Sequence, residues 1–421
     1  MSVQNIPTSS SSHKSDLPMS VRVEHKGASS STLQEVIFQG NSSDYKRSLK
    51  RSQSEIIDLT ESKKKRRRIY ESDDEPSTHH NKQQVKFLNV DFVHGKEDHI
   101  DTYVRCIDEA ESSIIIASWN LNFIPKKIFS SLLRAKKRQV SISFVVHSIK
   151  KEEVLKYFDD SHEDEESDYT FTCQKVDSHA KFLFVDSKTL ALGSYNALGD
   201  SREESLDASI LLHGTVHQMW PFYMSIYESY IADVEGGRGI FGGIAMISRV
   251  RHEGKRPLLV RSLGNDSRII LLRTVEEHED FIRLALPYNG DVSIHSPFST
   301  KDNTYRRLQA LERILPEGLK VSLKVQSRFK NGLLRLLRKV PGLAGRATVD
   351  VVTAHQKVII LGNETICIGS LNWLSAAQNR EDIYRKIELS IVLQGPVAAD
   401  IIQNFYYENT PDFTSSATSQ G

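Results

Sequence analysis

Two stretches of this 421-residue sequence, 179–196 and 355–372, are near copies of each other. Each begins with His-x-Lys and ends with Gly-Ser-x-Asn. Counted from the His in both copies, Lys lies two residues later, Gly fourteen, Ser fifteen and Asn seventeen. A single His-x-Lys is common by chance. Two of them with the same distant tetrapeptide indicate an internal repeat, which constrains the whole fold.

The interior of each copy is apolar, which predicts a hairpin of two buried strands joined by a short turn. Residues i and i+2 of a strand point to the same face, so each His shares a face with its Lys. The second strand ends in Gly-Ser and brings Ser and Asn alongside them. The copies therefore supply two matching sets of side chains: His179, Lys181, Ser194 and Asn196, and His355, Lys357, Ser370 and Asn372.

These side chains suit one chemistry, the attack on a phosphodiester. A neutral imidazole can attack phosphorus and form a covalent intermediate. A second imidazole can protonate the leaving oxygen and later activate water. Lysine and asparagine can donate hydrogen bonds to the non-bridging oxygens as negative charge develops on them, and the serines are expected to support the phosphate.

The paired motifs resemble those of the phospholipase D superfamily, over roughly residues 85–407. The resemblance implies an α/β fold of two α/β/α halves, related by a pseudo-twofold axis, that share one active site. It also implies that neither a metal nor another cofactor is used. By this resemblance His179 is the expected nucleophile and His355 the expected general acid/base. The block 369–375 is more similar to the nuclease-type branch than to the lipid-cleaving enzymes.

The family pattern also places carboxylates in each half. Asp186 completes the first motif, whereas Gly362 stands at the corresponding position of the second, with Asn363 beside it. This carboxylate is usually structural in the family, so we expect its loss to be tolerated. Asp207 and Glu388 fall where family members keep a carboxylate that holds a catalytic histidine in its working tautomer.

Strands and helices alternate in both halves, which is typical of layered α/β folds. The first half is predicted to contain helices over 99–110, 124–137 and 217–231 and strands over 113–118 and 140–146. The second half repeats this order, with helices over 278–286 and 305–315 and strands over 292–295 and 319–325. The predicted organisation is a disordered tail (1–84), a first phospholipase D-like half (85–234), a glycine-rich linker (235–266), a second half (267–410) and a disordered tail (411–421).

Composition excludes several classes of protein. Cys106, Cys173 and Cys367 lie far apart without metal-ligand spacing, which argues against structural zinc and indicates a reducing compartment. No apolar run approaches the roughly 18 residues of a membrane helix. The N-terminus lacks the apolar core of a signal peptide. We therefore expect a soluble protein without an integral membrane segment.

The N-terminal tail contains few aromatic residues and cannot bury enough surface to fold alone. It carries two short motifs. The first is similar to SUMO-interacting motifs, which add as a strand to a sheet edge, and consists of Ile56, Ile57, Asp58 and Leu59. The second is a basic hexamer that indicates nuclear import or contact with nucleic acid, and consists of Lys63, Lys64, Lys65, Arg66, Arg67 and Arg68. Together they predict a nuclear protein whose partners include SUMO or SUMO-modified proteins and an import receptor.

Residues 318–349 contain no Asp or Glu but many basic residues, and 331–340 is predicted to form an amphipathic helix. A basic surface beside a phosphodiesterase site is expected to hold nucleic-acid backbone. The residues expected to do so are Lys324, Arg328, Lys330, Arg335, Arg338 and Lys339. A merely solvated face and an anionic lipid surface are the alternatives. Trp119, Phe298 and Trp373 are candidates for stacking on bases or for core packing.

The sequence therefore predicts a nuclear phosphodiesterase that acts on nucleic acid, with DNA favoured over RNA. It is expected to be a nuclease or an enzyme that removes adducts from DNA ends. Tyrosyl-DNA phosphodiesterases of the same superfamily lack the carboxylate that Asp186 supplies here, so that identity is disfavoured. Cleavage or transfer of phospholipids and a non-catalytic scaffold recruited through SUMO are the alternatives.

Overall fold

A computed structural model describes residues 88–158, 170–199, 206–231, 258–376 and 387–408, which all belong to one compact unit that begins at Gln84. The predicted tails, the SUMO-interacting segment and the basic hexamer lie outside the described residues. Within the described ranges, no helix combines the length and the apolar character needed to cross a bilayer.

The first half is a seven-stranded mixed sheet with helices packed against it. Its strands are β1 (Asn89–His94), β2 (Ser113–Leu121), β3 (Ser141–Ile149), β4 (Phe171–Lys175), β5 (Phe182–Val185), β6 (Thr189–Gly193) and β7 (Ala208–His213). Its helices are α1 (Lys96–Asp108), α2 (Lys126–Lys137) and α3 (Val216–Ile231). The strand order is β1-β7-β6-β5-β2-β3-β4, in which β2, β3 and β4 are parallel and the other neighbours are antiparallel.

The second half is an eight-stranded mixed sheet. Its strands are β8 (Leu259–Gly264), β9 (Ser267–Leu272), β10 (Val292–His295), β11 (Val321–Val325), β12 (Ala347–Val351), β13 (Val358–Leu361), β14 (Thr365–Gly369) and β15 (Ser390–Gln394). Its helices are α4 (Val275–Asn289), α5 (Lys301–Ile314), α6 (Ser327–Leu337) and α7 (Pro396–Glu408). The strand order is β12-β11-β10-β13-β14-β15-β9-β8.

The two sheets have the same architecture. Reading from β4 and from β12, the seven strands of the first sheet correspond one by one to seven strands of the second, and β8 is an additional edge strand. The α/β fold of two phospholipase D-like halves is therefore confirmed. Several element boundaries differ from prediction by a few residues. β8 lies inside the range predicted as linker, and α6 begins four residues before the predicted start at 331.

The largest core cluster lies between the two halves. It combines apolar residues of the first sheet, such as Phe182 and Leu192, with residues of the second, such as Val358 and Ile368. Burial of this much apolar surface stabilises the association of the halves. The backbone adds reciprocal contacts: the His179 amide donates to the carbonyl of Ile387 at 2.9 Å, and the His355 amide donates to Leu206 at 2.9 Å. Each motif histidine is thus tied to the opposite half.

Candidate active site

The catalytic histidines predicted from the sequence are each held by a carboxylate of the other half. His179 Nδ1 lies 3.1 Å from Glu388 Oε1, and His355 Nδ1 lies 3.2 Å from Asp207 Oδ1. An ionised carboxylate only accepts hydrogen bonds, so Nδ1 must carry the proton in each ring. Nε2 of each imidazole therefore keeps its lone pair. This is the tautomer that a nucleophile or a general base requires.

The motif serines hold the carboxylates that pair with the histidines. Ser194 Oγ donates to Asp207 Oδ1 at 2.6 Å, and Ser370 Oγ donates to Glu388 Oε2. Both hydroxyls are fully buried. The expectation that they support the phosphate is corrected in this respect, because their protons are committed to the carboxylates. Their effect reaches the reaction through Asp207 and Glu388.

The glycine of each Gly-Ser-x-Asn motif is required by close packing. A Cβ atom on Gly193 would lie 2.2 Å from the carbonyl oxygen of Ala208. A Cβ atom on Gly369 would lie 2.0 Å from Ser390 Oγ. No other residue lets β6 approach β7, or β14 approach β15, this closely. The close approach brings each serine within reach of its carboxylate.

Burial and the neighbouring ammonium groups favour neutral imidazoles. Burial, followed by the charge of Lys181, lowers the pKa of His179 to about 4, although Glu388 opposes this shift. The pKa of His355 is lowered chiefly by the charge of Lys357, whose Nζ lies 3.3 Å from Nδ1, and then by burial. Both rings are therefore neutral at pH 7 before a substrate anion enters.

The carboxylates stay ionised despite their burial. Burial alone would raise the pKa of Glu388, but the paired His179 and the other donors outweigh it and the net shift is downward. The pKa of Asp207 is likewise raised by burial but lowered overall, through the hydrogen bond from His355. Each carboxylate can therefore stabilise a positive charge that develops on its histidine during reaction.

The two lysines are buried beside the histidines. Lys181 Nζ donates to the carbonyl of His179 at 2.7 Å, and Lys357 Nζ donates to the carbonyl of His355 at 2.9 Å. Burial lowers the pKa of Lys357 to about 8, so it remains mostly protonated at pH 7. A phosphodiester that enters between the histidines would meet fixed positive charge without reorganisation of the site.

The two asparagines differ in how firmly they are held. Asn196 Oδ1 accepts a hydrogen bond from the backbone amide of Trp119 at 3.2 Å, which turns its amide nitrogen away from the strand. In the first sheet Ala117 pairs with Phe182, and in the second His295 pairs with the equivalent Val358. Two residues further along, Pro297 therefore occupies the position that Trp119 has in the first sheet. Proline has no N–H to donate. Asn372 Oδ1 accordingly has no hydrogen-bond partner among the described residues.

Asp186 is structural and lies away from the histidines. It follows β5 at the end of the hairpin opposite His179, and its carboxylate accepts the backbone amides of Glu111, Ser112 and Ser113, each at 2.8 Å. Its inclusion among the catalytic residues is therefore corrected: it anchors the start of β2.

Gly362 shows why the second motif lacks this carboxylate. Its φ is +62°, and a Cβ atom there would lie 1.8 Å from the carbonyl oxygen of Asn289. The end of α4 occupies the space that a side chain would need. The departure from the family pattern is therefore a local packing solution at the end of β13 that lies opposite His355.

Aromatic rings flank both histidines. The Trp119 ring lies edge-on to His179, with a centroid distance of 5.1 Å, and stacks on His147 at 3.9 Å. Phe298 lies edge-on to His355 at 5.9 Å. Trp373, the third stacking candidate, is buried in the core and cannot serve this role. His147 escaped sequence reasoning because it lies on β3, outside both motifs.

The predicted basic residues divide into two groups. Lys324 and Lys330 are half-buried, and Lys324 Nζ lies 5.8 Å from the ring centroid of Tyr406. The other four are exposed on α6 or just after it, namely Arg328, Arg335, Arg338 and Lys339. The Arg328 guanidinium lies 5.4 Å from the Phe298 ring centroid, so the basic surface reaches the aromatic ring beside His355.

The buried histidines make stability depend on pH, and His295 is one of them. Burial, followed by the charge of Lys324, lowers its pKa to about 3 from 6.5 in the unfolded chain, and its Nε2 has no partner among the described residues. Because the folded pKa is the lower one, its contribution to stability is fully present above pH 6.5 and is lost as the pH falls toward 3. For His295 alone this amounts to about 2 kcal/mol between pH 6.5 and 5.

We expect His295→Ala to reduce this pH dependence, because alanine already occupies the equivalent position 117 in the first sheet. The free energy of unfolding in urea, measured at pH 7 and pH 5 for both proteins, tests this. Comparing the pH differences cancels the cost of the cavity, which is present at both pH values. An unchanged pH difference in the variant would contradict the assignment.

Comparisons with known proteins agree with this architecture. Residues 103–220 match the family model described as cardiolipin synthase, PLD-like domain. No protein of curated function matches the sequence. A phosphatidylserine synthase of Haemophilus influenzae is similar in structure, with 14% identity and a TM-score of 0.53 over 76% of this chain and 85% of that chain. A polyphosphate kinase of Porphyromonas gingivalis gives 14% identity and a TM-score of 0.45, over 76% of this chain and 50% of that one.

The phospholipase D family member Nuc of Salmonella typhimurium gives 17% identity and a TM-score of 0.26, over 36% of this chain and 99% of that one. The family match covers the first half from α1 into α3, including the first motif. The second half repeats the same strand order with its own motif. The chain therefore has the phospholipase D fold, with a phospholipase D-like domain in the first half and a second copy of that architecture in the second half.

Proposed function

We propose that this protein is a phosphodiesterase that cleaves nucleic acid through a covalent phosphohistidine intermediate. The phospholipase D-like domain supports an enzyme that acts on phosphodiesters. The site adds two imidazoles held with Nε2 free, two buried ammonium groups and two amides, contributed equally by both halves. This set supplies a nucleophile, a general acid/base and donors to the non-bridging oxygens.

The reaction proceeds in two displacements. His179 Nε2 attacks phosphorus, the bond to the leaving oxygen breaks, and protonated His355 gives its proton to that oxygen. Neutral His355 then takes a proton from water, whose oxygen attacks phosphorus and expels His179 Nε2. Lys181 and Lys357 balance the charge of the phosphoryl oxygens in both steps.

The assignment of roles rests on the unequal surroundings of the two histidines. Burial, followed by the charge of Lys181, lowers the pKa of His179 to about 4, which favours the neutral ring needed for attack. The pKa of His355 is lowered chiefly by a single neighbour, Lys357. A bound phosphate anion would screen that charge and raise the pKa of His355 toward the protonated state needed for the general acid. The same order follows from the family resemblance.

The orientation of α6 supports nucleic acid as the substrate. Its leucines Leu333, Leu336 and Leu337 are buried in the core of the second half, while its exposed face is polar and basic. A helix that binds a membrane surface inserts its apolar face into the bilayer, and here that face is covered by protein. A rigid basic face suits a phosphate backbone instead.

We expect the double variant Arg335→Gln, Arg338→Gln to bind oligonucleotides more weakly and with a smaller dependence on salt. Each phosphate contact that is lost should reduce the slope of log K against log salt concentration by about 0.7 to 0.9. The matched control is Lys126→Gln, Lys137→Gln, which removes two exposed charges from α2 in the other half. Fluorescence anisotropy between 50 and 200 mM salt measures both slopes. Equal slopes in the two variants would contradict a role for α6.

Phospholipid cleavage or transfer is the second candidate, because the matching family model is described as cardiolipin synthase. The α6 variants distinguish the two substrates. Nucleic-acid cleavage should fall with loss of the basic face and be unaffected by anionic vesicles. Turnover of phosphatidylglycerol vesicles that the oligonucleotide does not inhibit would favour the lipid enzyme.

We further propose nuclear localisation and recruitment to SUMO-modified proteins, supported by Lys63–Arg68 and Ile56–Leu59 of the N-terminal tail. Replacing the six basic residues by alanine should release a fluorescent fusion from the nucleus.

Replacing the three aliphatic residues at 56, 57 and 59 should abolish binding to purified SUMO. If His179→Ala left the cellular function intact, the scaffold alternative would be favoured.

A further inference from the structure

Each half contains a buried histidine–serine pair that lies outside the motifs. His278 Nε2 lies 2.7 Å from Ser390 Oγ, and its Nδ1 lies 2.6 Å from the carbonyl of Thr274. His99 Nε2 lies 2.9 Å from Ser209 Oγ, and its Nδ1 contacts the carbonyl of Gly95. Both histidines lie in the first turns of equivalent helices, α4 and α1, and both are buried. These pairs therefore recur in both halves, as the motifs do.

The hydrogen-bond partners fix the tautomer of both rings. A carbonyl oxygen can only accept, so Nδ1 carries the proton and Nε2 must accept from the serine hydroxyl. Burial lowers the pKa of His99 and of His278, which keeps the rings neutral and preserves this arrangement. Each serine therefore has its proton committed to a histidine on a neighbouring helix.

The serines connect these histidines to the catalytic carboxylates. Ser390 follows Glu388 by two residues at the start of β15, and Ser390 Oγ also lies against Gly369, the residue before Ser370. A displacement of Ser390 would shift β15 against β14 and lengthen the hydrogen bond between Ser370 and Glu388. In the first half, Ser209 stands in the same relation to Asp207 and Gly193.

We infer that His278 and His99 are positioning residues for opposite catalytic histidines, an inference that rests on the proposed function for its kinetic consequences. His278 acts through Ser390 and Glu388 on His179, the nucleophile. The equivalent chain from His99 runs through Ser209 and Asp207 to His355, the general acid/base. Each pair therefore serves the histidine that the other half contributes.

The dependence of kcat/KM on the leaving group distinguishes a positioning role of either histidine from a general loss of structure. A p-nitrophenyl phosphodiester departs without a general acid, whereas an oligonucleotide needs one. His278→Asn should lower kcat/KM on both substrates by roughly 10- to 100-fold, by analogy with the loss seen when the hydrogen-bond partner behind a metal ligand is removed. His99→Asn should cause a similar loss on the oligonucleotide but less than about threefold in kcat/KM on the aryl ester, because kcat/KM reports the first displacement, in which the aryl group departs without a proton from His355.

Conservative variants provide the matched control. The Asn amide can replace the Nδ1 contact but is too short to reach the serine, whereas the longer Gln amide can accept from the serine. His99→Gln and His278→Gln should therefore recover most of the activity that the Asn variants lose. Equal losses on both substrates in both Asn variants, or no rescue by Gln, would overturn the crosswise assignment.

A second readout does not depend on catalysis. Titration of ¹⁵N-histidine-labelled protein by NMR should show that His99→Asn changes the pKa and tautomer of His355 and leaves His179 unchanged, with the reverse for His278→Asn. If the variants show these crosswise changes but the wild type cleaves no phosphodiester, the positioning roles of His278 and His99 stand and the proposed function is wrong. If each variant instead changes the pKa of His179 and of His355 equally while the wild type cleaves, the positioning roles are wrong and the proposed function stands.

Discussion

Replacing His179 by alanine is expected to lower phosphodiester cleavage by at least about 10⁴-fold, because the variant has no group that can form the covalent bond to phosphorus. His355 is not expected to take over, since its proposed role is that of the general acid and Asp207 holds its Nδ1 for that role. The measurement is kcat/KM on an end-labelled oligonucleotide, with the thermal unfolding midpoint recorded to show that the variant is folded.

The matched control for this prediction is His217→Ala, which makes the same change at an exposed histidine on α3. It should cleave like the wild type. A His179→Ala variant that keeps more than about a hundredth of the wild-type rate would contradict the nucleophilic role, because water attack assisted by the remaining groups is far slower than the two-step route.

His355→Asn should separate the two chemical steps. Asparagine can still donate to Asp207 but cannot transfer a proton, so oligonucleotide cleavage should fall by about 10² to 10⁴-fold. An aryl phosphodiester needs no acid to depart and should still react with His179. Hydrolysis of the resulting phosphohistidine would then stall, because no base activates water. Intact-protein mass spectrometry should find the adduct, and peptide mapping should place it on His179.

The reciprocal variant decides the order of the roles. His179→Asn should form no adduct with the same aryl ester. If His179→Asn accumulated an adduct on His355 instead, the roles of the two histidines would be exchanged. The double variant should remain unlabelled in either case, which controls for labelling at other histidines.

Local patterns in the sequence predicted much of the architecture. The continuous apolar runs Phe182–Val185 and Val358–Leu361 predicted both motif hairpins, because a short apolar run bounded by turn residues is a local signal for a buried strand. The repeated order of strands and helices predicted the two halves for the same reason. The edge strand β8 was missed because it pairs with β9 alone and most of its residues are not buried, so its sequence lacks the apolar run of a core strand.

The pairing across the halves could not be read from the sequence. Glu388 follows the second motif, and nothing in its local sequence indicates that it holds His179 and not His355. The pairing arises because backbone contacts such as that of His179 with Ile387 cross between the sheets. Composition also could not separate Trp119, which lies beside His179, from Trp373, which packs in the core.

The second half has diverged from the first around a preserved pocket. Pro297 stands where Trp119 donates to Asn196 in the first half, so Asn372 lacks that donor. Gly362 stands where the first half has Asp186, and His295 stands where it has Ala117. The contacts from carboxylate to histidine and from serine to carboxylate are the same in both halves. The contacts that orient the two histidines are thus shared by both halves, whereas the contact that holds the asparagine is not.

The most direct test incubates the purified protein in EDTA with end-labelled single- and double-stranded DNA and RNA, and in parallel with phosphatidylglycerol vesicles. His179→Ala and His355→Ala are assayed alongside the wild type. We expect the wild type to cleave nucleic acid, with DNA preferred, and both variants to lose this activity. Cleavage that survives in both variants would contradict a site built from the two histidines, and turnover of the vesicles alone would contradict nucleic acid as the substrate.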